Sequence, residues 1–265
     1  MTTPSMTLRF LGTGTSTGVP AIGCTCPACL STDTRDKRLR ASAILSVGPV
    51  NLLIDCGPDF RRQSIDAGAP PLHAALLTHS HYDHVGGIDD LRPYCHSLPG
   101  GHFPVYCTAD VADDLRSRVP YCFLKHPYPG VPTFAIHEID PYTPFTVEGV
   151  EVTPLPVMHD RLPIVGFRIG RMAYITDAKT IPESTFSLLE GVDTLVLNAL
   201  RYRPHHSHMS VDEALAVSRR VNPRVTWFTH IADGLGPHAK VDPTLPEGVH
   251  LAYDGLSISV DGEPS

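Results

Sequence analysis

Between Ala74 and Gly87 the chain reads Ala-Ala-Leu-Leu-Thr-His-Ser-His-Tyr-Asp-His-Val-Gly-Gly: an apolar run, then four ligand-type side chains within six residues. The run suits a buried strand. The imidazole and carboxylate groups of His79, His81, Asp83 and His84 suit zinc, manganese or iron. In a loop leaving that strand, His79 and His81 can turn to one point while Asp83 and His84 serve an adjacent point. Gly86 and Gly87 allow close backbone approach and entry into the next helix. Two metals need more than four ligands, and α/β sheets gather their sites at strand ends. Pro154–His159 ends a strand at His159, Ala173–Asp177 at Asp177, and Val225–His230 at His230. Alone, each is most simply a cap or a surface residue; with the first run, they complete two coordination shells.

Further buried strands are expected at Leu8–Leu11, Ala43–Val47, Leu52–Ile54, Ala74–Leu77, Val150–Leu155, Ile164–Ile169, Met172–Ile175, Thr194–Leu197 and Val225–Phe228. Helical patterns lie at Asp59–Ala67, Ala109–Val119 and Val211–Val221. The last has Ser210 as N-cap and Glu213 completing a capping box. Strands interspersed with helices point to α/β layers. The Pro- and Gly-rich stretches Pro93–Pro104 and Pro120–Pro132 read as surface loops, either ordinary connections or lids over a site. No composition break marks a linker, so residues 1–265 are expected to form one domain.

The composition, 42% hydrophobic and 18% charged, allows a sizeable core. The formal net charge of −7 argues against broad nucleic-acid binding, which needs a basic field. It leaves a phosphate ester open as substrate, because bound cations make a pocket locally positive. No secretory pattern and no membrane span are visible, and seven cysteines, an odd count, fit a reducing compartment. The expected location is cytoplasmic.

The succession Leu53-Ile54-Asp55-Cys56-Gly57, His79–His84, His159, Asp177 and His230 resembles the metallo-β-lactamase superfamily along most of the chain. The resemblance implies a four-layer αββα sandwich with two divalent metals, zinc or manganese, with iron as a further option. One metal would take His79, His81 and His159, and the other Asp83, His84 and His230, with Asp177 bridging. Asp55 would support the metal loop rather than bind metal. Flavodiiron oxygen reductases of this fold usually carry an acid where His81 stands, which disfavours a redox role.

Finer motifs narrow the resemblance. Gly12-Thr-Gly-Thr-Ser-Thr-Gly-Val-Pro20, Gly23-Cys-Thr-Cys-Pro-Ala-Cys29, Gly57-Pro-Asp-Phe-Arg61, Asp89-Asp-Leu-Arg-Pro93 and Asn198-Ala-Leu-Arg201 running to His208 are similar to cyclic phosphodiesterases of the carbon–phosphorus lyase pathway and their relatives. Those phosphodiesterases open phosphoribosyl 1,2-cyclic phosphate. Cys24, Cys26 and Cys29 are close enough to share one structural zinc that lacks a fourth ligand. In the similar enzymes, that ligand is a histidine three positions after the last active-site histidine. Here Asp233 stands there, and His238 is an alternative in the same loop.

The reaction this implies is hydrolysis of a small cyclic phosphodiester through attack by a metal-bridging hydroxide. His208, in the loop Arg203–His208, is the candidate general acid, ahead of His205 and His206. Asp83 is counted as catalytic as well as a ligand. Arg201 is either a phosphate contact or a surface residue. One rival is a hydrolase of a carboxylic ester, lactone or thioester on the same fold. Another, of a different class, is a non-catalytic metal-binding accessory protein in coenzyme biosynthesis. The expected partner is a small-molecule phosphodiester, with neither nucleic acid nor membrane, and a homodimer is the candidate assembly.

Overall fold

The computed structural model describes residues 5–98, 100–126 and 128–260. Its strands are β1 (Met6–Gly12), β2 (Ser42–Val47), β3 (Val50–Ile54), β4 (Ala74–Leu76), β5 (His102–Cys107), β6 (Thr133–Glu138), β7 (Phe145–Val147), β8 (Val150–His159), β9 (Leu162–Ile169), β10 (Met172–Ile175), β11 (Thr194–Asn198), β12 (Val225–Thr229), β13 (Val249–Leu251) and β14 (Ser257–Ser259). They form two seven-stranded sheets, ordered β14-β1-β2-β3-β4-β5-β6 and β13-β12-β11-β10-β9-β8-β7. Each sheet begins as an antiparallel meander, β1–β2–β3 or β7–β8–β9–β10. Each continues as parallel strands, β3–β4–β5–β6 or β10–β11–β12–β13.

Three apolar layers hold this arrangement. Leu8, Phe10, Leu45, Leu52, Ile54 and Leu76 meet Val152, Val165, Phe167, Tyr174 and Val196 between the sheets. The outer face of the first sheet packs Leu53, Ala75 and Val105 on Phe60, Leu91 and Leu115. The outer face of the second packs Leu195, Leu197 and Phe228 on Leu189, Val211 and Ala214. The result is the expected αββα sandwich. Each fully buried large apolar side chain contributes about 1.5–3 kcal/mol, so these layers, not the polar cluster at the strand ends, hold the sheets together.

The Val211–Val221 helix carries the expected reciprocal cap between Ser210 and Glu213, and it ends on Asn222 in a left-handed conformation. The Phe60–Asp66 and Ala109–Arg118 helices fall within the expected segments.

The reading of 93–104 and 120–132 as loops needs correction. Arg92–Ser97 is helical, with Pro93 in its first turn, where no N–H bond is required. His102–Cys107 is a strand, which Pro104 enters one residue before pairing with β4 begins at Val105. Pro120–Phe123 forms a 3-10 turn. Pro99 and Pro127, in the two segments concerned, lie outside the described residues.

No helix among the described residues is long and apolar enough to cross a membrane.

Candidate metal centre

The C-terminal strand ends meet along one edge of the sandwich. Asp55 follows β3, His79–His84 follow β4, His159 closes β8, Asp177 follows β10 and His230 follows β12. Asp55, Asp177 and His230 each have a left-handed backbone, with φ of 59°, 57° and 55°. Such conformations cost non-glycine residues on the order of 1–3 kcal/mol and persist only where surrounding contacts impose them. Here they occur at three acidic or imidazole side chains of the cluster. The loop after β4 is pressed onto the turn after β3. A Cβ on Gly57 would lie 2.1 Å from the Asp83 carbonyl oxygen, and one on Gly87 would lie 2.0 Å from the Gly57 carbonyl oxygen. Only glycine fits either position, which accounts for the close approach expected after His84.

Asp55 organises the cluster without facing its centre. It is fully buried and accepts hydrogen bonds from Thr78 N at 2.9 Å, Thr78 Oγ1 at 2.9 Å and His84 Nδ1 at 2.7 Å. The Thr78 hydroxyl proton being committed to Asp55, its oxygen accepts from His79 Nδ1 at 3.0 Å. His159 Nδ1 donates between the carbonyl oxygens of Asp177, at 2.8 Å, and Ser207, at 2.9 Å. In all three rings Nδ1 is thus the donor, which leaves Nε2 as the nitrogen available to a ligand. His79 Nε2 and His84 Nε2 are buried without a hydrogen-bond partner. Such orphaned atoms are costly unless a ligand satisfies them. Protein oxygens that fix the outer nitrogen of an imidazole are the usual support for a metal-binding one.

Asp177 lies at the junction. Its Oδ1 is 3.1 Å from His230 Nε2 and 2.9 Å from His208 Nε2. Its Oδ2 is 3.1 Å from His84 Nε2, which is also 3.3 Å from Asp83 Oδ2. Asp83, His84, Asp177 and His230 offer ligand atoms within 4.8 Å of one another. His159, Asp177 and His208 form a second such group. His79 and His81 lie against these groups. The His79 ring centroid is 4.2 Å from that of His84, and the His81 centroid is 5.1 Å from that of His159.

The electrostatics match the donor set. Burial works against ionisation of Asp177, yet His230, His84 and His208 outweigh it and hold the carboxyl well below the usual carboxylate range. Asp83, also opposed by burial, is held down by His84 and His230. Burial pushes His79 well below the ordinary imidazole value and His230 down to about 4. Ionised carboxylates and neutral imidazoles are the forms a divalent cation requires. His84 differs: burial opposes its charge, but Asp177 and Asp55 push its pKa well above the ordinary value. A cation bound there would displace a proton.

All seven expected active-site ligands therefore converge, and His208 joins them. Its imidazole is 13% exposed and stacks on that of His230 at 5.0 Å. Sequence reasoning missed Thr78, Thr15 and Ser207. Thr15 Oγ1 lies 3.0 Å from His230 Nε2. Thr78 precedes His79, Thr15 lies in the Gly12–Pro20 motif and Ser207 precedes His208, but none of the three is a ligand-type side chain. Asp55→Asn is expected to weaken cation affinity by about 10–100-fold while leaving the circular-dichroism spectrum unchanged. Competition with a metallochromic chelator checks it; unchanged affinity would make Asp55 a packing residue only.

A second cluster joins the Cys24–Cys29 segment to Asp233, in the turn after His230. Cys24, Cys26, Cys29 and Asp233 bring their ligand atoms within 4.8 Å of one another. Asp233 Oδ2 is 2.9 Å from Cys24 Sγ, 3.6 Å from Cys26 Sγ and 3.9 Å from Cys29 Sγ. The Asp233 carboxylate pushes the Cys24 thiol up to about 12. Four groups that all form anions fit together best around a cation. The alternative ligand His238 is placed elsewhere: its Nδ1 lies 3.3 Å from the buried Arg38 guanidinium, and its N–H donates to Asp36. Replacing Cys26 by Ser is expected to remove about one metal per chain and lower the melting temperature, since structural zinc adds folding energy. Elemental analysis with calorimetry decides; full metal content with three titratable thiols would refute the site.

The family model described as the beta-lactamase superfamily domain matches residues 50–231. The crystal structure of a diphosphatase from the PhnP family superposes with a TM-score of 0.90 at 36% identity, covering 96% of this chain and 97% of that one. An octanoyltransferase of Porphyromonas gingivalis is 42% identical over 254 residues, which are 95% of this chain but 51% of that protein. The chain thus spans about half the length of that relative. Ribonuclease Z of Mycobacterium sp. (strain KMS) is 25% identical over 235 residues, 78% of this chain and 82% of that one.

Proposed function

The chain belongs to the β-lactamase superfamily and is a metal-dependent hydrolase, and from that premise we propose that it cleaves a small phosphoric ester, a cyclic phosphodiester of the phosphoribosyl type. The observation that carries this reading is the meeting of two ligand groups at the Asp177 carboxylate, with His208 Nε2 at 2.9 Å from it. Similarity over nearly the whole chain to a PhnP-family diphosphatase supports the phosphoryl substrate. The ribonuclease Z relatives, also named for a phosphoryl-cleaving activity, support it too.

In this reading His79, His81 and His159 would hold one divalent cation and Asp83, His84 and His230 the other, with Asp177 within reach of both groups. Bound there, divalent cations would supply an activated water at neutral pH and neutralise charge on the phosphoryl oxygens. Asp55 and Thr78 keep the imidazoles in the binding tautomer. His159 Nδ1, through the Ser207 carbonyl, holds the loop that carries His208. The Ser207 hydroxyl oxygen lies 3.0 Å from His208 Nδ1 and can accept its N–H, so the ring can carry a proton on each nitrogen. From that imidazolium form Nε2 would give its proton to the departing alkoxide, leaving a neutral ring. The 201–208 stretch contains Arg201 and Arg203 and no acidic residue, which suits an anionic substrate.

A carboxylic ester or thioester substrate is the second reading, favoured by the octanoyltransferase relative. That relative has about half its length outside the match. Cation-loaded protein should be assayed against ribose cyclic phosphates, an aryl phosphodiester, a diphosphate diester, lactones and an octanoyl thioester. Turnover confined to the phosphoryl substrates is expected; turnover confined to the acyl substrates would replace the first reading by the second.

A further inference from the structure

Lys179 has no place in the ligand set, yet it sits two residues after Asp177 and reaches the backbone of His208. The turn that carries it is pinned at several atoms. Asn198 grips Ala178 with both ends of its amide, accepting from Ala178 N at 2.8 Å and donating to Ala178 O at 3.0 Å. Met209 N donates to the same carbonyl at 3.1 Å, and Lys179 N donates to Met158 O at 2.7 Å. From this fixed base, the Lys179 ammonium reaches Glu213 Oε1 at 2.6 Å and the His208 carbonyl oxygen at 3.4 Å. The other oxygen of Glu213 is already engaged, accepting Ser210 N at 2.7 Å in the helix cap.

One cation therefore joins three things: the turn that presents Asp177, the backbone of His208, and the capped start of the helix that follows His208. The pair is half-open to solvent, with Lys179 20% and Glu213 43% exposed. Ion pairs of that exposure contribute little to stability. What this one fixes is a distance, that between the His208 ring and the Asp177 carboxylate. A general acid is sensitive to such distances, since a displacement of about 1 Å can cost about 10²-fold in rate.

We propose that Lys179 is a positioning residue for His208, holding its imidazole at the height over Asp177 from which Nε2 can protonate the leaving oxygen. The proposal rests on the reading of His208 as the proton donor.

The test uses Lys179→Met, Lys179→Arg, His208→Ala and the double variant Lys179→Met/His208→Ala. Each is loaded with Zn2+ or Mn2+ and assayed on a ribose cyclic phosphate and on bis(4-nitrophenyl) phosphate. Cation content and melting temperature are recorded alongside. Lys179→Met is expected to slow the ribose substrate by about 10–100-fold. The aryl diester should slow by less than about threefold, because nitrophenolate leaves without a proton. Lys179→Arg should recover most of the loss. In the His208→Ala background the Lys179→Met change should add nothing, since what it positions is gone. If Lys179→Met slowed both substrates alike, or its effect persisted without His208, Lys179 would be a general structural or binding residue and the proposal would be overturned. If His208→Ala itself showed no dependence on the leaving group, the proposal and the proton-donor reading would fall together. If His208→Ala showed it and Lys179→Met did not, the proposal alone would fall.

Discussion

Asp177→Ala is expected to lower turnover of a phosphoryl substrate by at least about 10³-fold, because loss of a single electrostatic donor at a reacting centre already costs about 10²–10³. The carboxylate approaches His84, His208 and His230 with both its oxygens, so no neighbour can take its place. Cation content should fall with activity. The fold should survive, because the apolar layers between and outside the sheets do not involve Asp177. Alanine at φ 57° adds backbone strain of its own. Asp177→Asn is the control that removes the charge while tolerating that conformation. Both variants should be measured by steady-state kinetics, elemental analysis and thermal melting. Wild-type turnover with wild-type metal content in either would remove Asp177 from the centre.

His208→Ala is expected to separate substrates by leaving group. A ribose oxygen departs as a poor alkoxide and needs its proton in the transition state, whereas nitrophenolate does not. General acid catalysis is worth about 10²–10⁴-fold, so turnover of a ribose cyclic phosphate should fall by that order while an aryl diester changes by less than about tenfold. Both cations should remain bound. The position of the ring, partly exposed and 2.9 Å from Asp177, is the motive. Equal slowing of both substrates would make His208 a binding residue, and no slowing would make it a surface histidine.

The residues that were legible in the sequence are those whose chemistry is local. The run from His79 to His84 carries its ligands within six positions, and the Ser210–Glu213 box and the helix behind it need only a four-residue pattern. His159, Asp177 and His230 could be found because each ends an apolar strand. Strands β5 and β6 were not legible. β6 lies at a sheet edge with only Phe134 buried and an apolar run of just Phe134–Ile136, and β5 follows a Pro- and Gly-rich stretch. β7, β13 and β14 are three residues long, too short for a period to register. The supporting contacts of the site were hidden for a different reason. Thr15 meets His230 across 215 positions, and Lys179 meets Glu213 across 34. Nothing local in the sequence marks such pairs. The cysteine triplet was legible, but the choice between Asp233 and His238 was not, because it depends on how the turn after His230 is folded.

The most direct measurement is hydrolysis by protein stripped with a chelator and then titrated with Zn2+ or Mn2+, using a ribose cyclic phosphate as substrate and Cys26→Ser in parallel to account for the cysteine site. Turnover should be absent from the stripped protein and rise as about two further cations bind, with the same two cations and the same turnover lost in Asp177→Ala. Undiminished turnover in stripped protein, or full cation loading with hydrolysis of acyl substrates alone, would contradict phosphoryl hydrolysis at this centre.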